Sequence, residues 1–185
     1  MLESLKNCVV LDIETSGFSA KKNAICSISM KKFNEDIKLN IYIKPNNKYE
    51  YNPQAMEVNG LTLEFLEENG MEEERAIMEV ISFIKNNFEG KPITLGHNSI
   101  GFDIPFLEEH FNTYNLSFKS IVSHHSSDSM IIARFLRDIG KLKTKSVSLV
   151  NCYKECFGKD FEGAHESMSD VFATEAIYNE FIKMK

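Results

Sequence analysis

Two carboxylates stand one residue apart in VVLDIETSG (9–17), where Asp12 and Glu14 flank Ile13 at the end of an apolar run. The run reads as a buried strand closed by a polar turn. Residues i and i+2 of a strand share a face, so both acids point the same way. Two like charges ~4 Å apart repel by about 4 kcal/mol at an effective dielectric near 20. Protons or a cation must offset that repulsion. Further acids follow. Asp103 comes after a short apolar run and a turn, in LGHNSIGFDIPFL. Asp170 and His165 lie in GAHESMSDVFATEAIYNEF. Taken alone, Asp103 reads as a helix N-cap. Asp170 shares a helical stripe with Ala173, Thr174, Ile177 and Phe181, where a buried carboxylate needs a proton, a partner or a metal. Locally, Ser167 as cap with Asp170 three residues on describes a capping pair equally well, and a lone His165 is more often a surface residue than a catalyst.

These residues must be held by elements that the pattern also predicts. Strand-like runs occur at 8–13, 24–33 and 37–43, joined by short polar connections, which predicts an antiparallel meander. Residues 44–60 read as a loop. Apolar residues at Ile77, Val80, Ile81, Ile84 and Phe88 predict a helix over 72–88. PITLGHN and SIVSHHSSD predict two short strands, with helices over 104–114, 129–139, 147–157 and 167–183. Crossovers through helices make the later strands parallel to their neighbours. The expectation is an α/β fold, a mixed five-stranded sheet of one antiparallel meander plus two parallel strands, with helices packed on it.

The chain has 185 residues and a formal net charge of −6. That length suits one domain, 1–185, able to bury about 70% of its unfolded surface. The acidic balance argues against a duplex-wrapping protein, because phosphates call for Lys and Arg. It counts less against a nuclease, since two divalent cations would bring −6 to −2. Cys8, Cys26, Cys152 and Cys156 form no C-x-x-C pair and read as reduced core thiols. Cys152 and Cys156 lack nearby histidines, so no zinc site is expected there. With no signal-like core or membrane-spanning run, a cytoplasmic protein without a membrane partner is expected.

The three acidic segments together resemble the motifs of the DEDD 3′–5′ exonucleases (DnaQ-like), within the ribonuclease H-like superfamily. LDIETSG is similar to their first motif and HNSIGFDIPFL to their second. HESMSD matches the H-x-x-x-x-D of the histidine branch, whereas the tyrosine branch would place Tyr where this chain has Glu166. The resemblance runs from Val9 to about Phe181 and takes in EVNGLT and SDSMIIARFL. It implies the ribonuclease H-like fold, with Asp12, Glu14, Asp103 and Asp170 converging around two divalent cations. All-oxygen ligands suit Mg²⁺ or Mn²⁺. Asp12 would bridge both ions, Glu14 and Asp170 would help hold the ion that carries the attacking water, and Asp103 would serve the second. His165 would be the general base, and the product a nucleoside 5′-monophosphate released from a 3′ end. Leu61 would wedge against the terminal base and Phe102 would line the nucleotide pocket, although both also fit plain core packing. Thr15, Gly17 and Asn98 complete the expected substrate contacts. The chain departs from the common pattern at Asn59, where the family often has histidine, and at Asn98, one residue further from Asp103 than usual.

The expected partner is a single-stranded 3′ end, DNA in preference to RNA. An exoribonuclease of the same branch and a proofreading subunit with a polymerase or replication partner are the nearest rivals. A stand-alone enzyme is favoured over the latter because the chain closes on its last helix. A catalytically dead binding module is disfavoured, since a binder gains little from clustered acids. Lys141, Lys143 and Lys145 form a basic patch that either follows a phosphate backbone or is a solvated loop. His124 and His125 read as incidental, and Asp128 as a strand-end or helix-cap residue.

Overall fold

A computed structural model describes residues 3–184, with side chains from residue 5 onward. The described residues form five strands and seven α-helices: β1 (Cys8–Thr15), β2 (Ile25–Lys32), β3 (Lys38–Tyr42), α1 (Pro53–Asn59), α2 (Leu63–Asn69), α3 (Glu73–Asn87), β4 (Ile93–Gly96), α4 (Asp103–Asn112), β5 (Ser126–Asp128), α5 (Ser129–Asp138), α6 (Leu149–Phe157) and α7 (Ser167–Phe181). The sheet order is β3-β2-β1-β4-β5. β1–β2 and β2–β3 are antiparallel, while β1–β4 and β4–β5 are parallel. The meander plus two parallel strands therefore forms as expected. Among the described residues, no helix is long and apolar enough to cross a membrane.

One expectation is corrected. The segment 44–60 is not all loop, because α1 occupies Pro53–Asn59, and α2 follows where no element was expected. Both helices are seven residues long, with the exposed apolar residues Val58, Leu63 and Phe65, so neither shows the buried stripe that a periodicity reading needs. Their signals are in the caps. Asn52 accepts from Gln54 N with Pro53 at the first helical position, and Thr62 accepts from Phe65 N.

β1 is central and buried on both faces. Val9, Leu11 and Ile13 face one core with Ile77, Val80, Ile84, Leu107 and Phe111 of α3 and α4. Cys8 and Val10 face the other side, where they meet Val171 and Tyr178 of α7. α7 is buried on more than one side, since Ala173, Ile177 and Phe181 join a second cluster with α5 and α6. The four thiols are free, Cys8 and Cys26 in strands and Cys152 and Cys156 on α6.

β4 stops at Gly96, and the chain folds back at once through 97–102 into α4. A Cβ on Gly96 would lie 2.4 Å from the Ser99 Cβ and 3.1 Å from the Leu11 carbonyl oxygen. The bare backbone is what lets the loop close over the strand end. Gly96→Ala should therefore destabilise the protein by about 1–3 kcal/mol, as overpacking does, and should displace Asp103. Urea unfolding checks the first effect, and a weakened response of the melting temperature to Mn²⁺ checks the second.

Candidate active site

The odd–even alternation of β1 builds the site. On the face that packs α7, the side-chain series runs Cys8, Val10, Asp12, Glu14. Val10 packs near Val171, and the residue before it on α7, Asp170, meets the two acids beyond Val10. Asp12, Glu14 and Asp170 each place a carboxylate oxygen within 4.8 Å of the others. The chain thus turns from apolar to acidic along one face of one strand, at the point where the helix above it does the same.

Asp103 is not part of that close group, but its charge acts on Asp12 and Glu14. The parallel pairing of β4 with β1 covers only Cys8–Val10, so Ile13 lies past the end of β4. The Asp103 carboxylate accepts from Ile13 N at 3.0 Å and is itself buried. It is the first residue of α4 and does not cap that helix, whose preceding residue, Phe102, makes no side-chain cap bond. The capping reading of Asp103 therefore fails, because the carboxylate completes the hydrogen bonding of β1 instead. Ser167 likewise does not cap α7. That position falls to Glu166, again without a side-chain cap bond. The Ser167 hydroxyl instead lies 2.9 Å from Ser27 Oγ and 2.8 Å from Ser29 Oγ, and Ser29 donates to Asn40 Oδ1 at 2.8 Å. With one proton per hydroxyl, the chain runs Ser27 to Ser167 to Ser29 to Asn40. It pins the first residue of α7 to β2, with His165 two residues before and Asp170 three after.

His165 is exposed, with φ of 71°, and its backbone N–H points to Asp170 Oδ1 at 3.4 Å. A left-handed histidine is uncommon but tolerated, and here it turns the chain into α7. His165 lines a small cavity of about 60 Å³ with Glu14, Ser27, Asn40, Asn59 and Leu61. A larger cavity of about 400 Å³ adjoins, lined by Glu14, Thr15, Gly17, Phe18, Asn59 and Phe102 among others. Four of the expected substrate contacts are thus placed at these two cavities: Thr15, Gly17 and Phe102 at the larger and Leu61 at the smaller. The fifth, Asn98, is exposed and lines neither cavity. With φ of 69°, it turns the 97–102 loop, donating its N–H to Asp128 Oδ1 at 2.9 Å and accepting from Phe102 N. Asp128 both ends β5 and caps α5, accepting from Met130 N.

Asn59 was noted in the sequence only as a departure, yet it is a tether of this site. Its Nδ2 donates to the Thr15 carbonyl at 3.1 Å, and its Oδ1 accepts from Leu61 N at 3.0 Å. It thereby fastens the α1–α2 turn, with Leu61, to the end of β1. The pairing of β1 with β2 shifts register between Glu14 and Thr15, at the end of the strand that Asn59 tethers. Serines on one face of β2, Ser27 and Ser29, were the available signal for the Ser167 anchor. Asn59 had none beyond its difference from a histidine.

Burial and crowding raise all four acids. Asp12 is pushed well above the usual carboxylate range by burial, then by Asp103, Asp170 and Glu14. Glu14 is pushed to about 8 by burial, then by Asp170 and Asp103. Burial takes Asp103 to about 7 against the Ile13 N–H, and Asp170 to about 6 against the backbone N–H and charge of His165. Crowded carboxylates that hold protons near neutrality are the donor set a hard divalent cation neutralises. The oxygen-only donor set fits a hard divalent cation.

A ribonuclease H-like fold with an acidic cluster where the central strand meets the last helix defines a class of metal-dependent nucleases. The sequence profile described as exonuclease, of the RNase T type, matches residues 9–178. The chain belongs to this exonuclease family, the DnaQ-like group that its motifs resemble. Among solved structures it is similar to E. coli exonuclease I with a dA16 oligonucleotide, at a TM-score of 0.84 and 20% identity over 96% of this chain and 41% of that one. The dT13 complex gives 0.82 and 20% over 96% and 41%. The zinc-bound single-stranded DNA complex gives 0.81 and 22% over 95% and 40%. The likeness establishes the fold, and the chain spans about two fifths of exonuclease I. No curated protein matches the sequence.

The raised acids set a pH dependence for the metal-free protein. Between about 4 and 8 the native state binds more protons than the unfolded chain, so these groups' contribution to stability falls as pH rises. Asp12→Asn removes one repelling charge. In EDTA it should raise the melting temperature at pH 8 by about 3 °C or more and by less at pH 5. A variant equally or less stable than the parent at pH 8 would contradict the crowding.

Proposed function

We propose that residues 1–185 form one exonuclease domain that hydrolyses single-stranded or frayed DNA from the 3′ end and releases nucleoside 5′-monophosphates. The observation that carries this is the convergence of Asp12, Glu14 and Asp170 beside a nucleotide-sized cavity. Asp12, Glu14 and Asp170, with Asp103 behind them, would hold two divalent cations, Mg²⁺ or Mn²⁺. When bound, such a pair stabilises charge on the attacking and leaving oxygens of an in-line displacement.

The chain's own residues then have distinct tasks. Asp103 holds the end of β1 in place by accepting from Ile13 N. Asn59 holds Leu61 at the small cavity, where it would part the terminal base from its neighbour. Phe102, Gly17 and Thr15 line the cavity for the terminal nucleoside. His165, which lines the small cavity with Glu14, would take a proton from the attacking water. An internal, stacked base reaches this cavity only after unstacking, which favours a frayed or free end.

A 5′-labelled oligonucleotide resolved over time should give a ladder that shortens one nucleotide at a time with Mn²⁺ and is static in EDTA. A blunt duplex should be cut more slowly than a single strand, and Leu61→Ala should reduce that difference. Nicking of a closed circular strand, or degradation that ignores EDTA, would contradict the reading. Faster cutting of an RNA strand of the same sequence would make the domain an exoribonuclease.

His165→Ala should lower the rate by about 10²–10⁴, the usual contribution of a general base, while Mn²⁺ binding followed by melting temperature is retained. An unchanged rate at neutral pH would return His165 to the surface of the protein without a role.

A further inference from the structure

Behind the larger cavity lies a group of titratable side chains that the hydrolysis does not use. His110 of α4 is 1% exposed, and Glu73, the first residue of α3, is 5% exposed. His110 Nδ1 lies 2.5 Å from Glu73 Oε1. That oxygen also accepts from Tyr49 OH at 3.0 Å, and Glu73 Oε2 accepts from Tyr114 OH at 2.8 Å. His110 Nε2 lies 3.1 Å from the Asn23 backbone carbonyl. A carbonyl only accepts, so Nε2 carries a proton. Two tyrosine hydroxyls already donate to the Glu73 oxygens, the surroundings of an ionised carboxylate, which only accepts, so a donor at Nδ1 completes the set and Nδ1 carries a proton too. The ring is stacked between Tyr49 at 4.6 Å and Phe106 at 6.0 Å, faces that suit a cation. Lys48 Nζ lies 3.3 Å from Tyr114 OH, and Glu72 and Glu74 act on Tyr114 from the start of α3.

Asn23 connects this group to the cavity. Its Oδ1 accepts from Ser19 N at 3.0 Å, its Nδ2 donates to the Glu50 carbonyl at 3.0 Å, and its N–H donates to the Ser19 carbonyl at 2.8 Å. Its side chain fills the space where a Cβ on Gly17 would stand, 2.5 Å away. Gly17 and the 86% exposed Phe18 are walls of the larger cavity. One proton on His110 therefore sits at the root of the 16–23 loop.

We propose that His110 is a positioning residue for the nuclease, a buried imidazolium balanced by Glu73 that fixes Asn23 and through it the loop walling the nucleotide cavity. The cavity is the one assigned above to the terminal nucleoside, and the inference rests on that reading. A neutral ring would satisfy Asn23 but would face the carboxylate with a lone pair. A buried ion pair is a poor way to gain stability over apolar packing, whereas it fixes one geometry at two acceptors.

Two arms test this. In the first, nitrogen–proton correlation of the imidazoles in the metal-free protein at pH 7 should show both His110 nitrogens protonated. Glu73→Gln should remove the Nδ1 proton and shift the Gly17 and Phe18 amide signals. A parent His110 with one bare nitrogen, or loop amides that ignore Glu73→Gln, would overturn the proposal whether or not the protein is a nuclease. In the second arm, His110→Gln should weaken binding of thymidine 5′-monophosphate in Mn²⁺ by about 10-fold or more. It should raise KM for single-stranded DNA more than it lowers kcat, and leave Mn²⁺ binding unchanged. Parent-like nucleotide binding by a folded His110→Gln overturns the proposal. If that variant does not fold, Glu73→Gln carries the same measurements. A parent that neither binds the nucleotide nor shortens DNA would overturn the nuclease reading, and the first arm would still decide the state of His110.

Discussion

Mutual repulsion among crowded, half-buried carboxylates is the constraint on which this molecule is built. Asp12 and Glu14 are brought to the same face by β-strand alternation, and Asp170 is brought over them because α7 packs on that face through Val171. The sheet and helix that stabilise the protein by burying Val10 and Val171 are the ones that force the acids together. The fold holds a site whose charges repel, and a divalent cation or protons relieve it.

Supporting contacts surround the acids on each side. Asp103 serves as a hydrogen-bond acceptor for the end of β1 past the end of β4. The Ser27–Ser167–Ser29–Asn40 chain fixes where α7 begins. Asn59 ties the α1–α2 turn to Thr15, and Asn23 packs under Gly17. Apart from the packing of Asn23 under Gly17, each is a neutral or single-charge hydrogen bond. Their common effect is to hold cavity walls and acids in place while the charges among them oppose assembly.

The division of labour between the two faces of β1 is notable in energetic terms. The face toward α3 and α4 is wholly apolar through Ile13 and carries the larger core. The face toward α7 is apolar only as far as Val10. A strand that gave both faces to the core could hold no site, and one that gave neither could not hold the acids against their repulsion. Placing the site on one face and at one end of the central strand satisfies both demands.

Much of this was legible in the sequence because it is periodic or local. The shared face of Asp12 and Glu14 follows from the pleat, and the buried stripe of Ala173, Thr174, Ile177 and Phe181 follows from 3.6-residue spacing. The five strands and five of the seven described helices were expected for the same reason, and the motif order of the acids pointed to their family. What the sequence left open depended on partners far along the chain. Asp103 looks like a cap until Ile13, 90 residues away, is placed against it. Ser167 looks like a cap until Ser27 and Ser29 arrive from β2. α1 and α2 are too short and too exposed to show a buried stripe. His110 drew no reading from the sequence, because its partners Glu73 and Asn23 lie 37 and 87 residues away. Residue type and spacing determine which groups can share a face, whereas a hydrogen-bonding side chain takes its role from whichever complementary atom tertiary packing sets within about 3 Å of it.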